Sequence, residues 1–189
     1  MHDAEDKLWW CEQAGQWERR FVRRVAPRIG LDARLNPDKQ DSPYVHDLFV
    51  DGRVADLKYR QTPFFTAGRY GLDAQFTVTL NKKDYERYRE EYPGISIYFW
   101  VDWKQTKMAL GARVRRVSPM TGLWVAPLPS LAQFVHDGRA PLHSYKRRVD
   151  DQRGNAKSSF LLDLRWLECL WMDTTWYQHA SVLIPFSTS

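Results

Sequence analysis

The chain has 189 residues, of which 43% are hydrophobic and 14% aromatic, enough apolar material for one domain with a substantial core and far from a disordered composition. Its net charge of +5 and pI of about 9.2 favour an anionic partner. Charges begin at Asp3, no apolar run approaches membrane-spanning length, and Cys11 and Cys169 lack zinc-site spacing, so a cytoplasmic protein with a reduced interior cysteine pair and no membrane partner is expected.

Residues 5–26 read as a helix, with Trp10, Ala14, Trp17, Phe21 and Val25 at the spacing of a buried stripe. On the helical wheel Glu18 falls inside the apolar arc, between Val25 and Cys11, whereas Glu12 lies opposite, near Arg19 and Arg23. A carboxylate facing a core is costly unless it is paired or binds a metal; at the stripe's edge it can instead snorkel to water. Arg19, Arg20, Arg23, Arg24 and Arg28 form a basic run that is either a solvated face or a phosphate contact. Pro27 and Gly30 end the helix, and residues 30–45, rich in Asn, Asp, Pro and Ser, read as an irregular connection with room for one short strand.

Asp51-Gly52 is a hairpin turn signal between the short apolar runs Leu48-Phe49-Val50 and Val54-Ala55. The hairpin brings Asp47 to the outer end of one strand and Asp56 and Lys58 to the outer end of the next. Asp56 and Lys58 share one face and Leu57 and Tyr59 the other, because side chains alternate along a strand. Two carboxylates and an ammonium converging at the end of an apolar hairpin fit a divalent metal site, although strand-end charges are also commonly solvated. An alanine at Asp56 is expected to relieve carboxylate repulsion and leave the fold intact.

Tyr59 to Gly71 reads as a loop with Phe64-Phe65 at its centre, a pair expected to turn inward, where an exposed pair could instead stack on a nucleic acid. Gln75 to Leu80 alternates as a strand, Asn81 caps a helix over about 82–92, and Ile95 to Trp103 is a strand buried on both faces. Further strands are expected at Val114–Val117 and Leu123–Val125, a short helix at Ser130–Val135, and an extra strand at Ser181–Phe186. Residues 158–172 are expected to form a last helix, with Phe160, Leu164, Leu167 and Trp171 as its stripe. There is no internal repeat or convincing linker, so a single mixed α/β domain over 1–189 is the economical reading.

The pattern Asp47-x8-Asp56-x-Lys58 across a tight hairpin resembles the PD-(D/E)xK nuclease superfamily. Here the first motif is His46-Asp47 where that family has Pro-Asp, and Asp56 stands where Glu is commoner. The resemblance covers about the first half of the chain. It implies a restriction-endonuclease-like α/β fold, a central sheet flanked by helices, with the order helix, strand, hairpin, strand, helix, strand over 5–103. It also implies hydrolysis of DNA phosphodiester bonds with Mg2+, or Mn2+ in its place. Asp47, Asp56 and the Leu57 carbonyl would hold the metal, Lys58 would orient water or stabilise developing charge, and Glu18 would serve a second metal or its water. A catalytically inactive nuclease-fold module that binds DNA or protein is the alternative, and a homodimer is compatible with either. The sequence has no phosphate-cradling Gly-rich loop, no Gly-x-Ser-x-Gly elbow and no His-Glu-x-x-His pair.

Two basic stretches in the second half are candidate DNA contacts. One carries Arg113, Arg115 and Arg116 in a segment without acidic residues; the other carries Lys146, Arg147, Arg148, Arg153 and Lys157. Either alone reads equally as a solvated loop. Together beside a metal site they would form a positive groove for a phosphate backbone.

Overall fold

The computed structural model describes residues 15–42, 44–145 and 157–173. Its centre is β5 (Ser96–Asp102), whose five middle residues are all buried. Ser96-Ile-Tyr-Phe-Trp-Val-Asp102 has no polar face, so it suits only a strand covered on both sides. β5 pairs in parallel with β3 (Arg53–Arg60) on one side and antiparallel with β8 (Thr121–Pro127) on the other. β2 (Leu48–Val50) and β1 (Ala33–Leu35) extend the sheet beyond β3, and β11 (Glu168–Asp173) extends it beyond β8. The result is a six-stranded mixed sheet in the order β1-β2-β3-β5-β8-β11.

Each face of β5 has its own core. Tyr98 and Trp100 meet Leu57, Leu48 and Val50 under Phe21 and Ala26 of the N-terminal helical segment. That segment, α1, is α-helical over 15–20, widens into a π turn at Phe21–Val25 and tightens into a 3-10 turn at Ala26–Ile29. Gly30, at φ 75°, closes it in a left-handed conformation. On the opposite face Ile97, Phe99 and Val101 pack against α2 (Lys82–Glu91), α3 (Leu128–His136) and a small second sheet. That second sheet has the order β4-β10-β9, from β4 (Thr77–Asn81), β10 (Ser158–Asp163) and β9 (Leu142–Ser144). β6 (Lys107–Leu110) and β7 (Arg113–Arg116) form a separate two-stranded ribbon.

The expected hairpin is present. Asp51 and Gly52 both have positive φ, 49° and 74°, as a tight turn joining β2 to β3 requires. The Asn81 side chain accepts a hydrogen bond from the Lys83 N–H and caps α2, and the α3, β5, β7 and β8 positions agree with the sequence reading. Phe65 is buried and Phe64 half-buried, as expected of an inward pair.

Residues 158–172 are not a helix. They form β10, a three-residue turn capped by the Asp163 side chain, and β11. Phe160, Leu164, Leu167 and Trp171 do fit helical spacing, but Phe160-Leu161-Leu162 is a continuous buried run between β4 and β9. A short apolar run has no period that separates strand from buried helix, and the partner strands decided it. The strand expected at Gln75 to Leu80 is β4, and it pairs with β10 rather than joining the central sheet. Cys169 is exposed on β11, so it is not an interior thiol, while Cys11 and the strand expected at 181–186 lie outside the described residues.

Gly122 on β8 pairs with Met172 on β11. A Cβ there would come within 2.7 Å of the Trp124 ring and 2.8 Å of the Trp171 carbonyl oxygen. Neither yields easily, since Trp124 is buried and Trp171 O belongs to the backbone. Gly122→Ala is therefore expected to cost about 1–3 kcal/mol in urea unfolding, and an unchanged midpoint would mean that the two strands can part without penalty.

Candidate active site

β3 outruns its neighbour. β2 covers β3 only as far as the Leu48–Ala55 pair, so from Asp56 onward the outer edge of β3 lacks a partner strand. The residue that begins β2's approach, Asp47, supplies the missing acceptor: its Oδ2 takes the Leu57 N–H at 3.1 Å. The N–H and C=O of one strand residue point to the same side, so the Leu57 carbonyl faces this edge as well. Asp47 is held in turn by Asn36, whose N–H donates to the Asp47 carbonyl at 3.0 Å and whose side-chain amide donates to the His46 carbonyl at 3.0 Å. The same Asn36 side chain caps the 3-10 turn Pro37–Gln40.

Asp56 and Lys58 project from the opposite side of β3 to Leu57, toward α2. Lys58 Nζ lies 2.8 Å from Asp56 Oδ2, 2.8 Å from Asp84 Oδ2 and 3.2 Å from the Tyr88 hydroxyl. Tyr88 donates to Asp56 Oδ1 at 2.6 Å. The approach of Lys58 to Asp56 Oδ2 is an ion pair without hydrogen-bond alignment, which leaves that oxygen otherwise unpartnered. On the α1 side Glu18 accepts from Lys39 Nζ at 2.6 Å, and the same ammonium is paired with Asp47 Oδ1. Only four carboxylates are buried among the described residues: Glu18, Asp47, Asp56 and Asp163. Asp163 is bound by Arg165. The other three surround one sheet edge.

The charges there are interdependent. Burial, then the neighbouring Asp56 charge, pushes the Asp47 carboxyl up to about 8, against the pull of Lys39. Burial works against the Asp56 carboxylate too, but the adjacent Lys58 ammonium and the hydrogen bond from Tyr88 outweigh it and lower its pKa. Burial likewise opposes the Lys58 charge and is outweighed by Asp56, Tyr88 and Asp84, so Lys58 is held firmly as the cation. Asp47 and Asp56 therefore resist being ionised together, the condition that a divalent cation relieves. Among the described residues no three His, Cys, Asp or Glu side chains gather around one point. Two aspartates with the Leu57 carbonyl could hold magnesium, an ion commonly bound by one or two carboxylates and otherwise by water and phosphate.

The sequence-predicted residues distribute as follows. Asp47, Asp56, Lys58 and the Leu57 backbone come together, and Glu18 joins them with 6% exposure but reaches Asp47 through Lys39. Glu12 lies outside the described residues, as do Lys146, Arg147, Arg148 and Arg153. Lys157 is exposed, and Arg113, Arg115 and Arg116 are exposed on the β6-β7 ribbon. Gln75 is engaged elsewhere, with both ends of its amide on the Ser118 backbone. Sequence reasoning missed Lys39, Asp84 and Tyr88 as neighbours of the site. Asp84 and Tyr88 are four apart on a helix and so share a face, a legible signal. Lys39 sits in a turn, where no periodicity exists to read.

No protein-family model matches the sequence, and no curated protein sequence matches it. Among solved structures, a nuclease from a fusselovirus is similar, with a TM-score of 0.42 and 10% identity over 90% of this chain and 89% of that chain. A likeness of that size transfers neither residues nor activity.

Asp56 is a buried counter-ion of Lys58, so its removal is expected to cost more stability than relief of carboxylate repulsion alone implies. Asp56→Ala would leave Lys58 with Asp84 as its one carboxylate partner and is expected to cost about 3–5 kcal/mol in chemical unfolding. A loss below about 1 kcal/mol would show that Lys58 re-solvates freely.

Burial and the Asp56 charge push the Asp47 carboxyl up to about 8 in the folded state, against the pull of Lys39, whereas an unfolded aspartate titrates near 4. The folded state thus binds the extra proton across that window, and stability falls as pH rises through it. In chelator, the thermal midpoint should drop by several degrees from pH 5 to 8 and Asp47→Asn should flatten the drop. Parallel pH curves for the two proteins would rule out Asp47 as the group responsible.

Proposed function

We propose that this protein is a metal-dependent phosphodiesterase that cleaves nucleic acid, with DNA as the expected substrate. The observation that carries the reading is the convergence of Asp47, Asp56 and Lys58, all withdrawn from solvent, at the open edge of β3. A protein that only bound phosphate would have little reason to gather carboxylates where phosphate arrives.

Asp47, Asp56 and the Leu57 carbonyl would hold magnesium, which when bound supplies Lewis acidity toward water and phosphate. Lys58 keeps its proton, so its part is to place a positive charge and N–H donors where a phosphate oxygen gains negative charge, rather than to act as a base. Asp84 and Tyr88 fix the direction of that ammonium from α2. Arg60, two residues beyond Lys58 on the same face, extends the positive row. Its guanidinium donates to the Tyr59 and Thr79 carbonyls and has no carboxylate partner among the described residues.

The strand's approach follows α1. Gln16, Arg19, Arg20, Arg23 and Arg24 line a concavity of about 490 Å3, and none of these arginines has a carboxylate within 4 Å among the described residues. α1 also carries Glu18, so this basic surface and the carboxylate edge are joined through one helical segment. Contacts of this kind hold phosphates without reading bases.

Purified protein incubated with linear, circular, single-stranded and branched DNA, and with RNA, in Mg2+, Mn2+ or chelator tests the proposal. Cleavage should need the divalent ion and fall at least about a thousandfold in Asp56→Asn, a loss of about 4 kcal/mol of transition-state stabilisation. Equal rates for parent and variant would place the chemistry elsewhere, and binding without turnover would favour the inactive module.

Arg23→Ala with Arg24→Ala should weaken DNA binding across unrelated sequences and reduce the slope of log K against log salt by about 2. An unaltered slope would move the strand's path to Arg113, Arg115 and Arg116.

A further inference from the structure

Lys39 has no place in the mechanism above, yet its ammonium is paired with two of the buried carboxylates of the site. Its Nζ lies between Glu18 Oε1, at 2.6 Å, and Asp47 Oδ1. Asp47 Oδ2 is meanwhile bound to the Leu57 N–H. Both oxygens of the carboxylate proposed to hold a metal are therefore engaged, one by a backbone donor that cannot leave without unpairing β3 and one by a side chain that can. The Lys39 side chain is 25% exposed, against 8% for Glu18 and 12% for Asp47, and it stands on the short Pro37–Gln40 turn rather than on the sheet. Its four-carbon stem gives the ammonium a way out to solvent. The two carboxylates have no comparable freedom.

We propose that Lys39 is an affinity-setting residue of the metal site, an internal ammonium that competes with a divalent cation for Asp47 Oδ1. A divalent ion and an ammonium on one oxygen repel strongly in a poorly screened pocket, so binding the first requires withdrawing the second. Glu18 keeps the withdrawn ammonium nearby, which makes the exchange local and reversible. This assigns Glu18 the task of holding Lys39. The inference rests on the reading of Asp47 and Asp56 as a metal site, and the experiment separates the two.

Mn2+ binding to the full chain is measured by titration calorimetry, without nucleic acid, for the parent, Asp56→Asn, Lys39→Met, Glu18→Gln and the Glu18→Gln/Lys39→Met pair. The paired variant removes both charges together and covers the case in which Lys39→Met alone fails to fold. Lys39→Met should bind Mn2+ at least about tenfold more tightly than the parent, and the paired variant should exceed Glu18→Gln in the same sense. Equal or weaker binding when Lys39 is replaced overturns the competition and leaves Lys39 a clamp that organises the carboxylates. Absence of Mn2+ binding in every protein, or its persistence in Asp56→Asn, brings down the metal-site reading and this inference with it. Binding that emerges only when Lys39 is replaced supports the competition most directly.

Discussion

The interaction on which the site depends is the hydrogen bond from the Leu57 N–H to Asp47 Oδ2. A strand edge inside a folded body cannot leave its backbone donors unpaired without substantial cost. β2 stops at the residue opposite Ala55, and β3 continues without a partner strand on that side. An aspartate side chain completes the pairing where a strand would have stood. The consequence is chemical as well as structural, because closing the sheet edge this way draws a carboxylate into a buried position beside the next one on β3. Asn36 reinforces the arrangement from behind by holding the backbone of His46 and Asp47 while capping the turn that carries Lys39.

Once the carboxylates are buried, their charges must be answered. Lys58 answers Asp56 from the same strand, with Asp84 and Tyr88 as further partners from α2. Lys39 answers Asp47 and Glu18 from the opposite side. Two ammonium groups thus serve three buried carboxylates, and each is held by more than one acceptor. The balance leaves Asp47 reluctant to ionise beside Asp56. His46, adjacent to Asp47, is packed edge-on against Phe49 and Tyr92, and neither ring nitrogen has a hydrogen-bond partner. Burial accordingly lowers its pKa and disfavours the charged ring.

Particular residues show what could be read in advance. Asp51-Gly52 demanded a tight turn because few dipeptides tolerate positive φ at both positions, and that turn set the register that ends at Leu48 and Ala55, one residue short of Asp47 and Asp56. Ile97 to Val101 could only be a doubly covered strand, and Glu18 fell in an apolar arc whose geometry a helix preserves even where it widens at Phe21–Val25. The segment 158–172 failed the same kind of reading, since its apolar spacing satisfied a helix while β4, β9 and β8 each offered a strand partner. Pairing with strands far away in sequence leaves no local period to detect.

Local sequence therefore determined the hairpin, the central strand, the capped helix and the convergence of Asp47, Asp56 and Lys58, because turn chemistry and side-chain alternation act over a few residues. Tertiary structure alone decided that β4 and β10 form a second sheet and that Asp84 and Tyr88 orient Lys58. It alone placed Lys39 between Glu18 and Asp47. The physical reason is range: these contacts join residues far apart in sequence, and only the packing of distant segments brings them within reach.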